Sequence, residues 1–413
     1  MCSLPEAKSI RYLWIVVSVT ALTLISIGGL NVFVDPFRVF GTVRCVGWAD
    51  NVPDTSGFDR MTKPYELLQV QPRTVLFGSS TARAGFCGLA EWEVNLPQPA
   101  YNGALLGANA HEIRLSIEQA IREAPVKVVV IVADFFAFNV NYADNERFEP
   151  KRLAAATRHH WPGMLPADFA AFTIGCDASR LSLQTLSGTR NAERNEAISN
   201  AGNGFPWHEH FRNCERSYLT KWFPPPMRKY EFAKKNSARE PFADFDASLQ
   251  LCAEHSVRAI VLCPPIHARF HEALAVAGVW PQYEFWKREL ARKIRINQTR
   301  SGNPNALVLW DFSLFNEMTR EPVPEDGEGP MRYFSDSAHF TPKLGALVLD
   351  EILGTRPFDS QRLGVRLDQV EMEAHLASVR GGLELFRANE PRVIVDVRNA
   401  LADAFNIVLS PRP

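Results

Sequence analysis

A serine in the first quarter of the chain and an aspartate–histidine pair near its end are the residues best suited to chemistry. The apolar run that ends at Phe77 leads into Gly78-Ser79-Ser80, and Asp336 stands three residues before His339. A serine hydroxyl becomes a useful nucleophile when a base removes its proton, and a carboxylate that orients the imidazole makes histidine that base. These residue types predict acyl transfer through Ser80, His339 and Asp336 if folding brings them together.

The same residues also have purely structural explanations. A serine that follows a strand can cap the next helix, and an aspartate such as Asp336 can cap the helix predicted after Pro342. His339 can be a hydrogen-bonded loop residue. Sequence alone leaves these alternatives open.

Short apolar runs that alternate with helical patterns must position these side chains. The strand-like runs cover residues 75–77, 127–134, 257–262 and 306–310, and the helical patterns cover 111–124, 284–295 and 344–353. The β-branched run at 127–134 is typical of a strand that is buried on both faces of a parallel sheet. This alternation predicts an α/β domain with a doubly wound parallel sheet.

The carboxyl ends of the strands are where such a sheet binds its ligands. Ser80, the loop that carries Gly107, Asp134 and the segment 336–339 all follow strands or lie in loops at that edge. We therefore expect these residues to converge on one site.

Three sequence blocks resemble those of SGNH (GDSL-like) hydrolases. They are Gly78-Ser79-Ser80 before a short helix, Asn102 followed by Gly107, and Asp336-x-x-His339. An uncharged N-terminal segment, the Asp-Pro-Phe after it and the Asp-Ser-x-His-Phe-Thr ending resemble, more narrowly, cell-envelope members related to alginate O-acetylation proteins and to DltD-type proteins. The resemblance covers about residues 70–350 and implies an SGNH-like (flavodoxin-like) fold. It assigns Ser80 as nucleophile, His339 as base and Asp336 as the residue that orients the base.

The resemblance also implies an oxyanion site made by the backbone N–H groups of Ser80 and Gly107, with Asn102 in the same block. Two positions depart from the family pattern. Ser79 replaces the acid of GDS, and Asp134 lies in the segment that replaces the block with the family's oxyanion asparagine. A carboxylate donates no hydrogen bond unless it is protonated, so we expect Asp134 to contact substrate or to support the site from behind.

Residues 12–34 form a segment without a charged side chain. As a helix, this segment is long enough to cross a hydrocarbon core of roughly 30 Å. The segment is longer than the apolar region of a signal peptide, about 7 to 15 residues, and no clear cleavage site follows it, so an anchor is favoured over a cleaved signal. Lys8 and Arg11 precede the segment and Asp35 follows it. This asymmetry predicts a single-pass protein of the inner membrane whose catalytic domain lies in the periplasm or outside the cell.

The expected organisation is a cytoplasmic tail (1–11), a transmembrane anchor (12–34), a connector (35–70), an SGNH-like domain (71–356) and a C-terminal helical extension (357–413). A mostly helical insertion at about 140–250 is expected to cover the site. Within the extension, the apolar run 393–397 is a candidate edge strand.

Composition narrows the possible partners. The formal net charge is −1, so the chain lacks the excess of positive charge that attracts nucleic acid, and no nucleic-acid partner is expected. Six cysteines follow the anchor, in a compartment where disulfides are allowed, but spacing does not choose a pairing. His208 and His210 suit surface positions better than a metal site, and His267 and His271 suit a substrate contact better than a metal site. We expect no metal and no cofactor.

The combined expectation is a membrane-anchored acyltransferase that O-acetylates an envelope or exported polysaccharide through a serine-acyl intermediate. One alternative is a carbohydrate or lipid esterase of the same fold. Another is a catalytically degenerate polysaccharide-binding or assembly component, in which the aromatic-rich insertion binds the polymer. Expected partners are the acyl-ester or polysaccharide substrate, the inner membrane and a membrane protein that exports acyl groups.

Overall fold

The structure is a computed structural model of the 413-residue chain. It describes residues 4–42, 54–88, 96–157, 163–187, 205–222, 230–235, 239–303, 305–324, 330–357 and 362–405. The chain divides into two compact units, one formed by residues 1–69 and 149–193 and the other by residues 70–148 and 194–413.

The second unit is built on one sheet. Its strands are β1 (Thr74–Phe77), β2 (Ala100–Asn102), β3 (Val128–Val132), β4 (Arg258–Cys263), β5 (Leu307–Asp311) and β6 (Val365–Arg366). The strand order is β2-β1-β3-β4-β5-β6, and every neighbouring pair is parallel except β5 with β6. The order reverses direction between β1 and β3, so the carboxyl ends of these two strands flank the crevice where open α/β sheets bind ligands.

Helices make up most of the remaining described structure. In chain order they are α1 (Leu4–Val34), α2 (Asp59–Val70), α3 (Ser80–Gly85), α4 (Ala110–Glu123), α5 (Pro150–Ala155), α6 (Pro166–Ile174), α7 (Cys176–Ser187), α8 (Trp207–Trp222), α9 (Pro241–Glu254), α10 (Ala268–Val276), α11 (Trp280–Ser301), α12 (Pro342–Leu353), α13 (Met372–Asn389) and α14 (Pro391–Phe405).

Helices cover both faces of the sheet because its strands are apolar on both sides. Alternate residues such as Leu76, Val130 and Ile260 form one core with side chains of α3, α8 and α12. Successive strand residues point to opposite faces, and helices α4, α9 and α11 pack against β1, β4 and β5 respectively. All five residues of β3 are buried, as its β-branched run predicts.

The first unit contains the apolar helix. Residues 9–34 of α1 are long and apolar enough to cross a membrane. The last turns of α1 pack against α6 and α7, where the buried Asn31 amide donates to Thr173 O (2.6 Å) and Ser179 Oγ (3.1 Å). A second buried contact is the ion pair of Arg152 with Asp168, 2.5 Å from Nε to Oδ2.

Several sequence expectations are confirmed and two are wrong. The α/β class, the four predicted strands and the final helix of the sheet domain are present. The sheet is mixed rather than wholly parallel, because Val365–Arg366 adds an antiparallel edge. The run 393–397 lies in helix α14 and is not a strand, since Ile394, Val397 and Leu401 recur at helical spacing and are buried together.

The cysteines of the described residues are free. Cys87, Cys176 and Cys214 are at least partly exposed, and Cys252 and Cys263 are buried. Cys263 lies in β4, where it packs as a small apolar side chain. Cys45 falls outside the described residues.

Candidate active site

Ser80 begins helix α3 immediately after the turn that ends β1. The preceding residue, Ser79, is the N-cap, and its Oγ accepts a hydrogen bond from the N–H of Thr81 (3.3 Å). Gly78 permits this sharp turn, because a Cβ there would lie 2.6 Å from Ala82 Cβ. Capping is therefore done by Ser79, which leaves the Ser80 hydroxyl for another partner.

That partner is His339. Ser80 Oγ lies 2.7 Å from His339 Nε2, across 259 residues of sequence. The other ring nitrogen, Nδ1, lies 2.9 Å from Asp336 Oδ2. This network assigns the Nδ1 proton to the bond with Asp336 and leaves Nε2 to accept the serine proton, which is the tautomer that a general base requires.

The loop that carries Asp336 and His339 is held closed at its base. Phe334 and Phe340 form an antiparallel bridge, and Ser335 N–H donates to His339 O (3.0 Å). Asp336 Oδ1 accepts the N–H groups of Ala338 (2.8 Å) and His339 (2.9 Å). These local bonds fix the carboxylate and the imidazole in one rigid turn.

Asp336 is held in its ionised form. Burial alone would raise the pKa of this carboxyl, but the charge and hydrogen bond of His339 and the two backbone N–H groups lower it to about 2. Asp336 is therefore an anion at neutral pH and can stabilise a protonated His339.

Asp134 lies against the serine turn. Its Oδ2 accepts hydrogen bonds from the Ser79 hydroxyl (2.5 Å) and from Ser79 N–H (3.4 Å). The side chain is buried at the end of β3, and this burial raises its pKa. The structure thus places Asp134 where it braces Ser79, the residue before Ser80.

Asn102 is the last residue of β2, and Gly107 lies in the loop that follows it. Asn102 Nδ2 donates to Phe86 O (3.2 Å), so its amide ties this loop to the chain just after α3. The backbone bond from Leu105 N–H to Gly78 O (3.0 Å) places the segment with Gly107 beside the serine turn. Gly107 has a φ of 61°, a left-handed conformation that favours glycine.

Helix α8 contributes three polar side chains that sequence reasoning did not assign to the site. His210, Cys214 and Tyr218 are spaced by four residues and line one face of the helix. Tyr218 OH lies 2.9 Å from both Asp336 Oδ2 and His339 Nδ1. The sequence signal for these residues was their spacing of four, which indicates a shared helix face, but it lies in the weakly patterned region 140–250.

His210, Cys214 and Asp336 could in principle surround a metal ion, because their ligand atoms lie within 4.8 Å of one another. Asp336 already accepts four hydrogen bonds, so a metal would have to displace one of them. Burial, followed by the charge of Asp336, raises the pKa of the Cys214 thiol to about 12, so Cys214 is a neutral thiol in this network. The arrangement fits the hydrogen-bond network better than a metal.

His267 and His271 lie in the core. His267 Nε2 donates to Glu321 O (2.7 Å) and its Nδ1 accepts from Arg269 N–H (3.3 Å), which makes it the N-cap of α10. His271 is fully buried, with its Nε2 3.3 Å from Ser313 O. The structure places both rings in structural hydrogen bonds.

No protein-family model matches this chain, and no curated protein matches it.

Proposed function

We propose that this chain is a serine acyltransferase that moves an acyl group, such as acetyl, onto a hydroxyl group of a polysaccharide. The observation that carries the proposal is the continuous hydrogen-bonded series from Ser80 Oγ through His339 to Asp336, with distances of 2.7 and 2.9 Å. Serine, histidine and aspartate in this order are the parts needed to form and resolve an acyl-enzyme.

In the proposed acylation step, Ser80 Oγ attacks the carbonyl carbon of an acyl ester while His339 Nε2 takes the serine proton. The tetrahedral intermediate then collapses, and the leaving alkoxide receives that proton from His339. The products are an acyl-serine and a free alcohol, and Asp336 stabilises the imidazolium between the two proton transfers.

The second step reverses the first with a different nucleophile. An acceptor hydroxyl gives its proton to His339 Nε2, attacks the acyl-serine and leaves as a new ester, which regenerates the Ser80 hydroxyl. Water in place of the acceptor would make the protein an esterase. The two activities share every protein group, so the acceptor decides between them.

The proposed oxyanion donors are the backbone N–H groups of Ser80 and Gly107. Both residues lie in segments that follow neighbouring strands, β1 and β2, and the Leu105–Gly78 backbone bond joins those segments. Asp134 Oδ2 already accepts a hydrogen bond from the Ser79 hydroxyl. In this proposal it supports the nucleophile turn and does not serve as a third donor.

We further propose that α1 anchors the protein in the inner membrane, with the catalytic residues on the periplasmic side. The length and apolar character of residues 9–34 support the anchor. A membrane protein that exports acyl groups would supply the donor there.

Hydrolysis of p-nitrophenyl acetate by the full-length chain in detergent tests the acyl-serine chemistry. Ser80→Ala and His339→Ala should each lower kcat by at least about 100-fold. Ser248→Ala is the matched control, because the hydroxyl of this buried serine donates to Asp244 O within α9, outside the candidate site. A fluorophosphonate should label Ser80, as located by mass spectrometry.

Addition of an oligosaccharide acceptor separates the two enzymatic alternatives. Acetyl-oligosaccharide that accumulates at the expense of acetate indicates a transferase, and acetate alone indicates an esterase. A parent protein that neither turns over the ester nor reacts at Ser80 contradicts both, and favours the polysaccharide-binding or assembly alternative.

A further inference from the structure

We propose that Tyr218 is a positioning residue that holds the Asp336–His339 pair in its reactive arrangement. This inference rests on the proposed acyl-serine function and extends it to helix α8, outside the sequence blocks that suggested the site. It assigns the phenol a role that acts through Asp336 and His339, without contact to substrate.

The phenol lies at the junction between the carboxylate and the imidazole. Tyr218 OH donates to Asp336 Oδ2 at 2.9 Å, and the same oxygen lies 2.9 Å from His339 Nδ1. Asp336 Oδ2 is also 2.9 Å from His339 Nδ1, so the three atoms form a nearly equilateral triangle. The two sides that end at His339 Nδ1 restrain the rotation of the imidazole about its Cβ–Cγ bond, and the third side holds Asp336 Oδ2 in place.

The remaining Asp336 oxygen is held by backbone N–H groups of Ala338 and His339. The carboxylate thus accepts four hydrogen bonds, about as many as its lone pairs allow. Loss of the phenol would free Oδ2 to turn toward water or toward the thiol of Cys214, and would weaken the restraint on His339.

Tyr218 is suited to donate and not to act as a base. Burial, followed by the negative charge of Asp336, raises the pKa of its phenol far above the ordinary value. The group is therefore a neutral O–H donor throughout the working pH range.

Buried ion pairs hold the helix that carries this phenol. Glu215, on α8, accepts two hydrogen bonds from Arg269 of α10, at 2.8 and 3.0 Å. Arg269 Nη2 also lies 2.8 Å from Asp396 of α14. Both Glu215 and Arg269 are almost completely buried, at 0% and 1% exposure. Helices α10 and α14 thus fix the position of α8 above the catalytic turn, which a positioning role requires.

A double-mutant cycle with the chromogenic ester tests the proposal. Tyr218→Phe, which keeps the ring and removes the hydroxyl, should lower kcat about tenfold with KM unchanged within about twofold. Asp336→Asn should lower kcat by about 1,000-fold or more. The double variant should fall within about threefold of Asp336→Asn alone, since a residue that acts through Asp336 has little left to do once the carboxylate is gone.

Tyr283→Phe is the matched control. Its phenol is also buried and donates to a side-chain oxygen, Ser313 Oγ at 2.7 Å, away from the catalytic residues. It should lower the thermal midpoint as much as Tyr218→Phe or more, and leave kcat unchanged.

The possible outcomes are distinct. A kcat loss in the double variant equal to the product of the two single losses, or a Tyr218→Phe variant that loses only thermal stability, overturns the positioning role while the acyl-serine function stands. A parent without ester turnover and without labelling of Ser80 overturns the function and the positioning role together.

Discussion

The ring of Phe340 lies directly against Gly85, so that a Cβ atom on this glycine would overlap the ring. Gly85 is the last residue of α3, the helix that Ser80 begins, and Phe340 follows His339 in the chain. Phe340 also packs edge-on against Phe86, with ring centroids 5.4 Å apart. This glycine–phenylalanine contact therefore sets how closely α3 approaches the turn that carries His339.

Substitution at Gly85 should separate Ser80 from His339. We expect Gly85→Ala to lower the free energy of unfolding by about 1–3 kcal/mol, because the methyl group must displace the Phe340 ring. We also expect ester turnover to fall more than tenfold as His339 moves with it, measured as kcat beside a thermal melt.

Gly381→Ala provides the matched control for this change. Gly381 lies in α13, where a new Cβ meets open space, so alanine should stabilise the helix by up to about 1 kcal/mol and leave turnover unchanged. Equal turnover in the Gly85→Ala variant and the parent would show that this contact does not control the site.

Asp134 should support the site through its hydrogen-bond acceptor and not through its negative charge. Burial raises the pKa of Asp134, so the folded state binds a proton more tightly than the unfolded state. Stability is therefore lost as pH rises from the unfolded-state pKa through the higher folded-state pKa. Asp134→Asn keeps an acceptor for the Ser79 hydroxyl and removes the buried charge. We expect a higher thermal midpoint at pH 7, with turnover retained within about threefold.

Asp144→Asn should have the opposite effect on stability. Burial alone would raise the pKa of Asp144, but its bonds to His111 and Asn109 and the nearby Arg239 lower it to about 2. The ionised form is therefore stabilising at pH 7, and its removal should lower the midpoint. A destabilised Asp134→Asn variant at pH 7 would contradict the interpretation of Asp134.

Acid should destabilise the fold through His267. Burial lowers the pKa of this ring to about 4, against 6.5 for an exposed histidine. Between these values the unfolded chain binds more protons, so stability is fully present above about pH 6.5 and falls toward pH 4. The full effect is up to about 3 kcal/mol.

Urea unfolding at pH 7 and at pH 5 measures this pH dependence. His267→Asn retains a side chain suited to cap α10 but cannot be protonated, so its stability difference between the two pH values should be smaller than that of the parent. An identical pH difference in both proteins would exclude His267 as the source.

The apolar helix predicts how the chain fractionates. The large apolar side chains of α1, among them Leu13, Leu22 and Ile25, are exposed and would be unfavourable in contact with water. We expect the full-length chain to stay with membranes through alkaline carbonate and to leave them only in detergent. Recovery of the intact chain in the soluble fraction after mild lysis would contradict the anchor.

The strands that form the centre of the sheet were predictable because their signal is local. The run of β-branched residues from Val128 to Val132 can be satisfied only by burial on both faces. The prediction of a strand at 393–397 was wrong. Val and Ile favour strands by propensity, but packing of a helical face against buried neighbours can override this preference. In α14 these neighbours are Ala268 and Phe386, which pack around Ile394.

The sequence by itself determined the apolar N-terminal helix, the α/β class and the residue types that acyl-serine chemistry needs, because each depends on local composition and spacing. Only the tertiary structure decided that Ser79 caps α3, that Ser80 reaches His339 and that Tyr218 joins Asp336. The contacts of Ser80 with His339 and of Tyr218 with Asp336 cross 259 and 118 residues of chain. Hydrogen-bond geometry across such separations depends on how whole helices pack, which no local pattern encodes.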